Sequence, residues 1–222
     1  NAQSRVLEDA LRRTGIPYLI VGGVRFYERK EIKDTLAYVR LVVNGRDDVA
    51  FRRAIGAPSR GIGKSSLGRL EEAARLAGVS LLEACRQLPP DFGSKPRRGL
   101  EEFARVIADL KAKKPVVPVP GFIDELLAAS GYREALKEER TAEAEERLQN
   151  LDELRAAAEE FHRSREDATL EAFLDQVALV TDVDELPEER GAVTLMTLHS
   201  AKGLEFPVVF LTGMEEGVFP HG

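Results

Sequence analysis

Covalent staples are nearly absent from this 222-residue chain: it has one cysteine, Cys85, so no internal disulfide can form. Three histidines and that single thiol are too few to suggest a metal cluster. Long apolar runs are missing as well. Leu41–Val43 and Val208–Leu211 fall far short of the roughly 20 residues that span a bilayer. No charged-then-apolar leader opens the chain, which argues against secretion. These gaps count against a disulfide scaffold, a zinc module and a membrane span, and they point to reducing cytoplasm. Cys85 itself falls in a helix-like stretch, Leu81–Leu88, and reads as a small core residue.

What the chain does have is an ordinary globular composition, 43% hydrophobic and 32% charged, and enough length to bury one or two cores without staples. Its net charge of −6 is unevenly spread: residues 1–78 carry 15 Lys/Arg against 9 Asp/Glu, and the remainder carries 17 against 29. Phosphate contacts depend on local clusters, so the amino-terminal third is a candidate nucleic-acid surface. A solvated face of mixed charge fits the same numbers. The acidic stretch Lys137–Arg190 reads as solvated helix faces that do not lie along a polyanion.

Two textures alternate along the chain. Ser4–Arg13 reads as a helix, Gly15-Ile16-Pro17 breaks it, and Tyr18–Val21 is a short apolar run that ends at Gly22-Gly23. Helix, turn, buried strand and glycine turn is the grammar of a parallel sheet. Lys30–Val43 then has helical periodicity, with Ile32, Leu36, Val39 and Val43 recurring. Near the end, Ala192–Leu198 and Phe206–Thr212 are β-rich and are predicted as strands. Between about Asp47 and Glu189 the periodicity is almost wholly helical, broken at Pro89-Pro90, Pro115–Gly121, Gly131 and Pro187. The pattern predicts an α/β domain split in sequence and interrupted by an all-helical insertion.

Three motifs carry chemistry. Gly61-Ile62-Gly63-Lys64-Ser65 ends like a phosphate-binding P-loop, but Pro58 stands where that pattern needs its first glycine and no strand leads into it. The better reading is a tight turn, Arg60-Gly61-Ile62-Gly63, opening a helix over Lys64–Ala77. Glycines permit close approach, free amides at a helix start favour an anion, and Arg52, Arg53, Arg60 and Lys64 surround the turn. A backbone phosphate of duplex DNA is a natural partner; a simple helix cap among scattered basic residues is the alternative. The second motif, Gly22-Gly23-Val24-Arg25-Phe26-Tyr27-Glu28, lacks a dinucleotide fingerprint. It sets an Arg and two aromatics after a strand, which suits single-stranded nucleic acid, unless the rings pack under the next helix.

The third motif is the most informative. Strand, polar turn and strand run through Val193–Phe210, with hydroxyls, an imidazole, a lysine, a glycine and a carboxylate gathered in Thr197–Glu205. Hydroxyls and amides hold phosphates, and a carboxylate accepts from a ribose hydroxyl. A Ser/His nucleophile is a poor fit, because the G-x-S-x-G elbow is absent and His199 is adjacent to Ser200.

Thr197-Leu198-His199-Ser200-Ala201-Lys202-Gly203-Leu204-Glu205, continued through Gly213–His221, resembles motif V of the UvrD/PcrA branch of superfamily 1 helicases. Val21–Lys33 is similar to that family's stretch after motif IV, Arg60–Gly63 to the Gly-Ile-Gly turn of its inserted helical domain, and Asn1–Arg5 to the tail of motif IV. The resemblance follows the order of the whole chain.

It implies an ATP- and Mg²⁺-dependent 3′→5′ DNA helicase of repair or replication. Residues 1–46 and 190–222 would form parts of an incomplete RecA-like motor domain, and 47–189 its helical insertion. It assigns Glu205 to the nucleotide ribose, and Thr197, His199 and Ser200 to single-stranded DNA, with Arg25 and Phe26 a weaker addition. It assigns Arg60, Gly61, Ile62, Gly63 and Lys64 to the duplex. No catalytic or metal-binding residue is expected here, because the P-loop, the Mg²⁺ carboxylates and the catalytic arginines would lie outside the chain. Neither ATP nor Mg²⁺ is expected to be held tightly by this chain alone. The expected partners are DNA at a single-strand/duplex junction and the first motor domain of the same protein. Two other classes stand beside this reading: a regulatory module docking repair or transcription proteins, and an inactive helicase-like subunit.

Overall fold

The computed structural model describes residues 4–21, 25–89, 92–183 and 192–214. Gly22–Val24 and the run beyond Met214, which carry parts of the second and third motifs, lie outside the described residues, as do Asn1–Gln3. The chain divides into two compact units, one from residues 1–26 with 186–222 and one from residues 27–185.

The first unit is small. Helix α1 (Ser4–Arg13) leads through a turn at Gly15 into strand β1 (Tyr18–Val21). Strand β2 (Val193–Met196) comes from the other end of the chain and pairs with β1 in parallel, from Tyr18 opposite Val193 to Val21 opposite Met196. Helix α11 (Leu198–Ala201) follows at once. Parallel strands need a crossover connection, and here the whole helical unit lies between them in sequence. Helix α1 turns part of its charged side inward: Arg5 and Glu8 are buried, whereas Val6 is 54% exposed. Asp9 bridges Arg5 and Arg12 at 2.9 Å each, Arg12 donates to the Tyr18 hydroxyl at 2.8 Å, and Glu8 accepts from the Phe26 amide at 3.2 Å. Arg5 tolerates burial because Asp9 pairs with it, whereas the other oxygen of Glu8, Oε1, has no hydrogen-bond partner among the described residues.

Phe206–Thr212, predicted as a strand, has no regular structure. Its apolar side chains face outward, Val208 at 69% and Phe210 at 85% exposure. A strand needs a neighbouring ladder, and none of the described backbone supplies one for this run.

The second unit is entirely helical. After a 3-10 turn (Phe26–Glu28) come α2 (Lys30–Val43), α3 (Asp48–Ala54), α4 (Lys64–Ala77), α5 (Leu81–Ala84) and α6 (Ser94–Lys113). They are followed by α7 (Val119–Ser130), α8 (Tyr132–Glu139), α9 (Ala142–Arg163) and α10 (Leu170–Val183). Local chemistry explains the starts. Asp47 accepts from Ala50 N at the head of α3, Ser80 and Glu83 form a capping box on α5, and Thr141 caps α9. Gly131, left-handed at φ 72°, both ends α7 and begins α8.

Helix α2 is buried nearly all round and packs against α3, α6, α7, α9 and α10. A helix apolar on most sides belongs to an interior. The helical unit therefore begins at Tyr27, earlier than the boundary at Asp47 expected from texture. Tyr38, Phe51 and Phe103 form its aromatic centre, with ring centroids 5.3 Å apart for Phe51–Phe103 and 5.6 Å for Tyr38–Phe103. A polar layer crosses the same interior. Asn150 links Arg29 to buried Glu31 at 2.5 Å each, and Asp34 accepts from Tyr132 at 2.9 Å and pairs with Arg53 at 2.8 Å. Burial first, and Asp34 second, push the Tyr132 hydroxyl well above its ordinary pKa. Cys85 is buried as read from sequence, with its thiol pushed up to about 12 by burial.

Candidate nucleic-acid interface

Two sets of candidate residues exist, one in each unit. In the helical unit, the chain leaves α3, turns at Gly61 with φ 68°, and enters α4 from an extended Gly63 at φ −82° and ψ 169°. Left-handed backbone at Gly61 is the conformation that a side chain resists. Gly63, Lys64 and Gly61 are exposed and Ile62 is half-buried. Helix α4 begins with no side-chain cap and no acidic residue in its first turn, so its first amides stay open to an anion.

The neighbouring Arg60 behaves differently from the sequence expectation. One terminal nitrogen donates to Pro58 O at 2.9 Å and Ile55 O at 3.4 Å; the other donates to the Tyr38 hydroxyl at 2.6 Å and Ser130 O at 3.0 Å. The guanidinium also lies 5.2 Å from the Phe103 ring centre and 5.8 Å from that of Tyr38. Tyr38 in turn donates to Ala57 O at 2.8 Å, and burial pushes its hydroxyl up to about 12 despite the opposing Arg60 charge. Arg60 is thus engaged by four protein acceptors. Arg52 and Arg53 are likewise engaged, with Glu71 at 2.6 Å and Asp34 at 2.8 Å.

A residue that sequence reading passed over stands nearer the turn. A Cβ placed on Gly61 would meet Lys95 Cε at 2.7 Å, so this exposed lysine of α6 lies over the turn. The signal was present: Gly93-Ser94-Lys95-Pro96 is a second glycine start to a helix, again uncapped and followed by basic residues. Lys64, which opens α4, and Lys95 are both exposed at the turn.

In the two-stranded unit, Thr197 caps α11. Its hydroxyl accepts from Ser200 N at 3.2 Å and shares a hydrogen bond with the Ser200 hydroxyl at 2.9 Å. The two hydroxyls are brought together at a strand end and partly satisfy each other. His199 sits on α11 between them in sequence, and its side chain lies outside the described part. A glycine turn at Gly203, φ 84°, then carries the chain to Glu205, which is exposed. An open cleft of about 640 Å³ runs from Val21, Thr194 and Met196 on the strands to Gly203–Phe206. Arg25 is half-buried, and Phe26 is 1% exposed, so its ring offers no face to a base. The inward-packing alternative for that ring is the one realised.

The chain matches the UvrD-like helicase C-terminal domain over residues 1–222. The chain belongs to that family. It is 47% identical over 230 residues to the ATP-dependent DNA helicase PcrA of Bacillus subtilis (strain 168), covering 100% of this chain and 31% of the relative. It is 42% identical over 226 residues to the protein of the same name from Staphylococcus aureus (strain Mu50), covering 100% of this chain and 30% of that one. The chain spans about a third of the length of the curated relatives it matches. As a UvrD-like helicase C-terminal domain it is mostly helical with a small parallel sheet.

Family membership implies ATP, and the residues present fit only one end of such a ligand. Glu205 lines the cleft as an exposed carboxylate, chemically able to accept from a hydroxyl. Gly61–Ser65 forms a helix start after α3, not a strand-led phosphate loop. Among the described residues no three His, Cys, Asp or Glu side chains gather as metal ligands. No helix among them is long and apolar enough to cross a membrane.

Proposed function

We propose that this chain is the DNA-gripping part of an ATP-dependent 3′→5′ DNA helicase of repair or replication, working in the cytoplasm. The two-stranded unit serves as the split part of a RecA-like motor domain, and the helical unit as its insertion. The observation that carries this reading is the parallel pairing of β1 with β2, which seats the strand–turn segment Val193–Glu205 beside Tyr18–Val21. Thr197, His199, Ser200 and Arg25 contact the single strand. Glu205 contacts the ribose of ATP, whose phosphates and Mg²⁺ are held by another motor domain of the same protein. Gly61, Ile62 and Gly63, with Lys64 and Lys95, hold the duplex backbone without reading bases.

Fluorescence anisotropy with a hairpin duplex and with single-stranded oligonucleotide tests this. Replacing Gly61 and Gly63 together by valine lowers duplex affinity and spares the single strand. Equal loss of both sinks the assignment. The chain alone is expected to show no DNA-stimulated ATP hydrolysis; turnover by the purified chain overturns the division of labour.

A further inference from the structure

The Gly61–Gly63 turn is held from two sides by residues that never reach its exposed face. On one side is the Arg60 fork, whose acceptors come from α2 (Tyr38), the end of α3 (Ile55), the following loop (Pro58) and the end of α7 (Ser130). A planar guanidinium satisfies four such acceptors in fixed directions, while its face packs against the rings of Tyr38 and Phe103. An ammonium has three donors and no planar face to stack. On the other side is α6. A Cβ added at Gly99 would meet the Arg60 carbonyl oxygen at 2.7 Å and two side-chain carbons of Ile62 at 3.3 Å. Gly99 is buried in mid-helix, where glycine is otherwise unfavourable by roughly 1 kcal/mol relative to alanine. Here the missing Cβ lets the turn lie directly on the helix. The conformation of Gly61, with its positive φ, is therefore over-determined by contacts on both flanks.

We propose that Arg60 and Gly99 are positioning residues for duplex binding: they pre-form the Gly61–Gly63 turn, and neither touches DNA. The inference rests on the reading of that turn as the duplex contact. A turn already fixed in its bound shape loses little freedom when a phosphate docks, whereas a loosened one loses much. This separates Arg60 from an ordinary phosphate ligand, for which lysine is a serviceable substitute.

The experiment measures affinity for a hairpin duplex over a range of salt concentrations for the chain and for Arg60→Lys, Gly99→Ala and the Gly61→Val/Gly63→Val pair. Arg60→Lys and Gly99→Ala are each expected to weaken duplex binding by about 10-fold, with an unchanged slope of log affinity against log salt, because no phosphate contact is removed. Single-strand affinity is expected to stay at the parent value. Parent-like duplex binding in either folded variant overturns the proposal. If the Gly61/Gly63 pair binds duplex like the parent, the reading of the turn itself fails. If that pair loses binding while Arg60→Lys and Gly99→Ala keep it, only the positioning role fails.

A measurement on the unaltered chain decides the matter even if Arg60→Lys does not fold. The ¹⁵N-labelled Arg60 guanidinium is expected to exchange its protons slowly and to keep its resonance when duplex is added. A duplex-induced shift at Arg60 comparable to that at Lys64 overturns the proposal.

Discussion

The two units treat their apolar residues in opposite ways. The helical unit draws Tyr38, Phe51, Phe103, Phe122 and Phe161 almost wholly out of water and surrounds α2 on nearly every side. The two-stranded unit leaves Val208, Val209, Phe210 and Leu211 more than half exposed and offers just one strand-to-strand ladder among the described residues. A lone pair of strands is marginal in water, whereas a many-helix core is not. Charges divide less cleanly: Glu31 and Asp34 are buried with partners in the helical unit, as Arg5 is in the two-stranded one, where Glu205 is exposed. One unit is built to hold its shape, and the other is built to meet something.

The sharpest way to break that contrast is at the aromatic centre. Phe103→Ala removes the ring that both Tyr38 and Phe51 pack against, and is expected to cost the helical unit about 3–5 kcal/mol. Chemical denaturation followed by far-UV circular dichroism measures it; a loss below 1 kcal/mol, by the same scale for minor changes, refutes the packing argument.

Alkaline titration probes the same interior from its hydroxyls. The unfolded chain releases the Tyr38 proton near 10, while the folded one holds it to about 12. The raised folded value means stability is intact below pH 10 and falls as pH climbs from 10 to 12, by up to about 3 kcal/mol. Tyr38→Phe lessens that decline and leaves the share due to Tyr132, and an unchanged decline in the variant removes Tyr38 as a source.

Asp34→Ala is expected to cost about 1–3 kcal/mol, since it leaves the buried Tyr132 hydroxyl without its acceptor. Pairing it with Tyr132→Phe, which removes the stranded donor, recovers part of the loss. Additive losses in the double variant contradict a direct coupling.

The smallest effect belongs to the other unit. Phe210→Ser alters a ring that is 85% exposed, so the melting temperature is expected to move by less than about 2 °C. Binding of a hydrophobic dye falls instead. A large drop in melting temperature means Phe210 is packed after all, and the contrast between the units loses its main support.

Helical periodicity in the sequence was enough to find α1, α2 and α4, because Gly15-Ile16-Pro17, Asn44-Gly45 and Gly63 punctuate apolar repeats at their ends. The helical texture between Asp47 and Glu189 also covers α8, although its Tyr132 and Leu136 give only a single turn of pattern behind the break at Gly131. The boundary expected at Asp47 and the compact unit that starts at Tyr27 differ because of one helix. Helix α2 follows a strand, but its many buried positions are covered by α9 and α10, which lie more than a hundred residues later. The run Phe206–Thr212 has every local mark of a strand, and local marks do not supply a ladder partner. At the candidate interface, the glycine turn was legible from its residue types. The fate of Arg60 was not, since its acceptors at Tyr38 and Ser130 meet it only through tertiary packing, and nothing in sequence links Lys95 or Gly99 to Gly61.

The placement of α2 has a consequence for how the helical unit is made. The ribosome delivers this helix first, and its last partners, α9 and α10, emerge only after most of the unit has been synthesised. Until then α2 lacks the partners that complete its burial, those of Glu31 and Asp34 included. Arg53 of α3 pairs with Asp34 early, whereas Tyr132 and Asn150 reach Asp34 and Glu31 only with α8 and α9, so arrested nascent chains ending before α8 should expose α2 to protease and those extending past α9 should protect it.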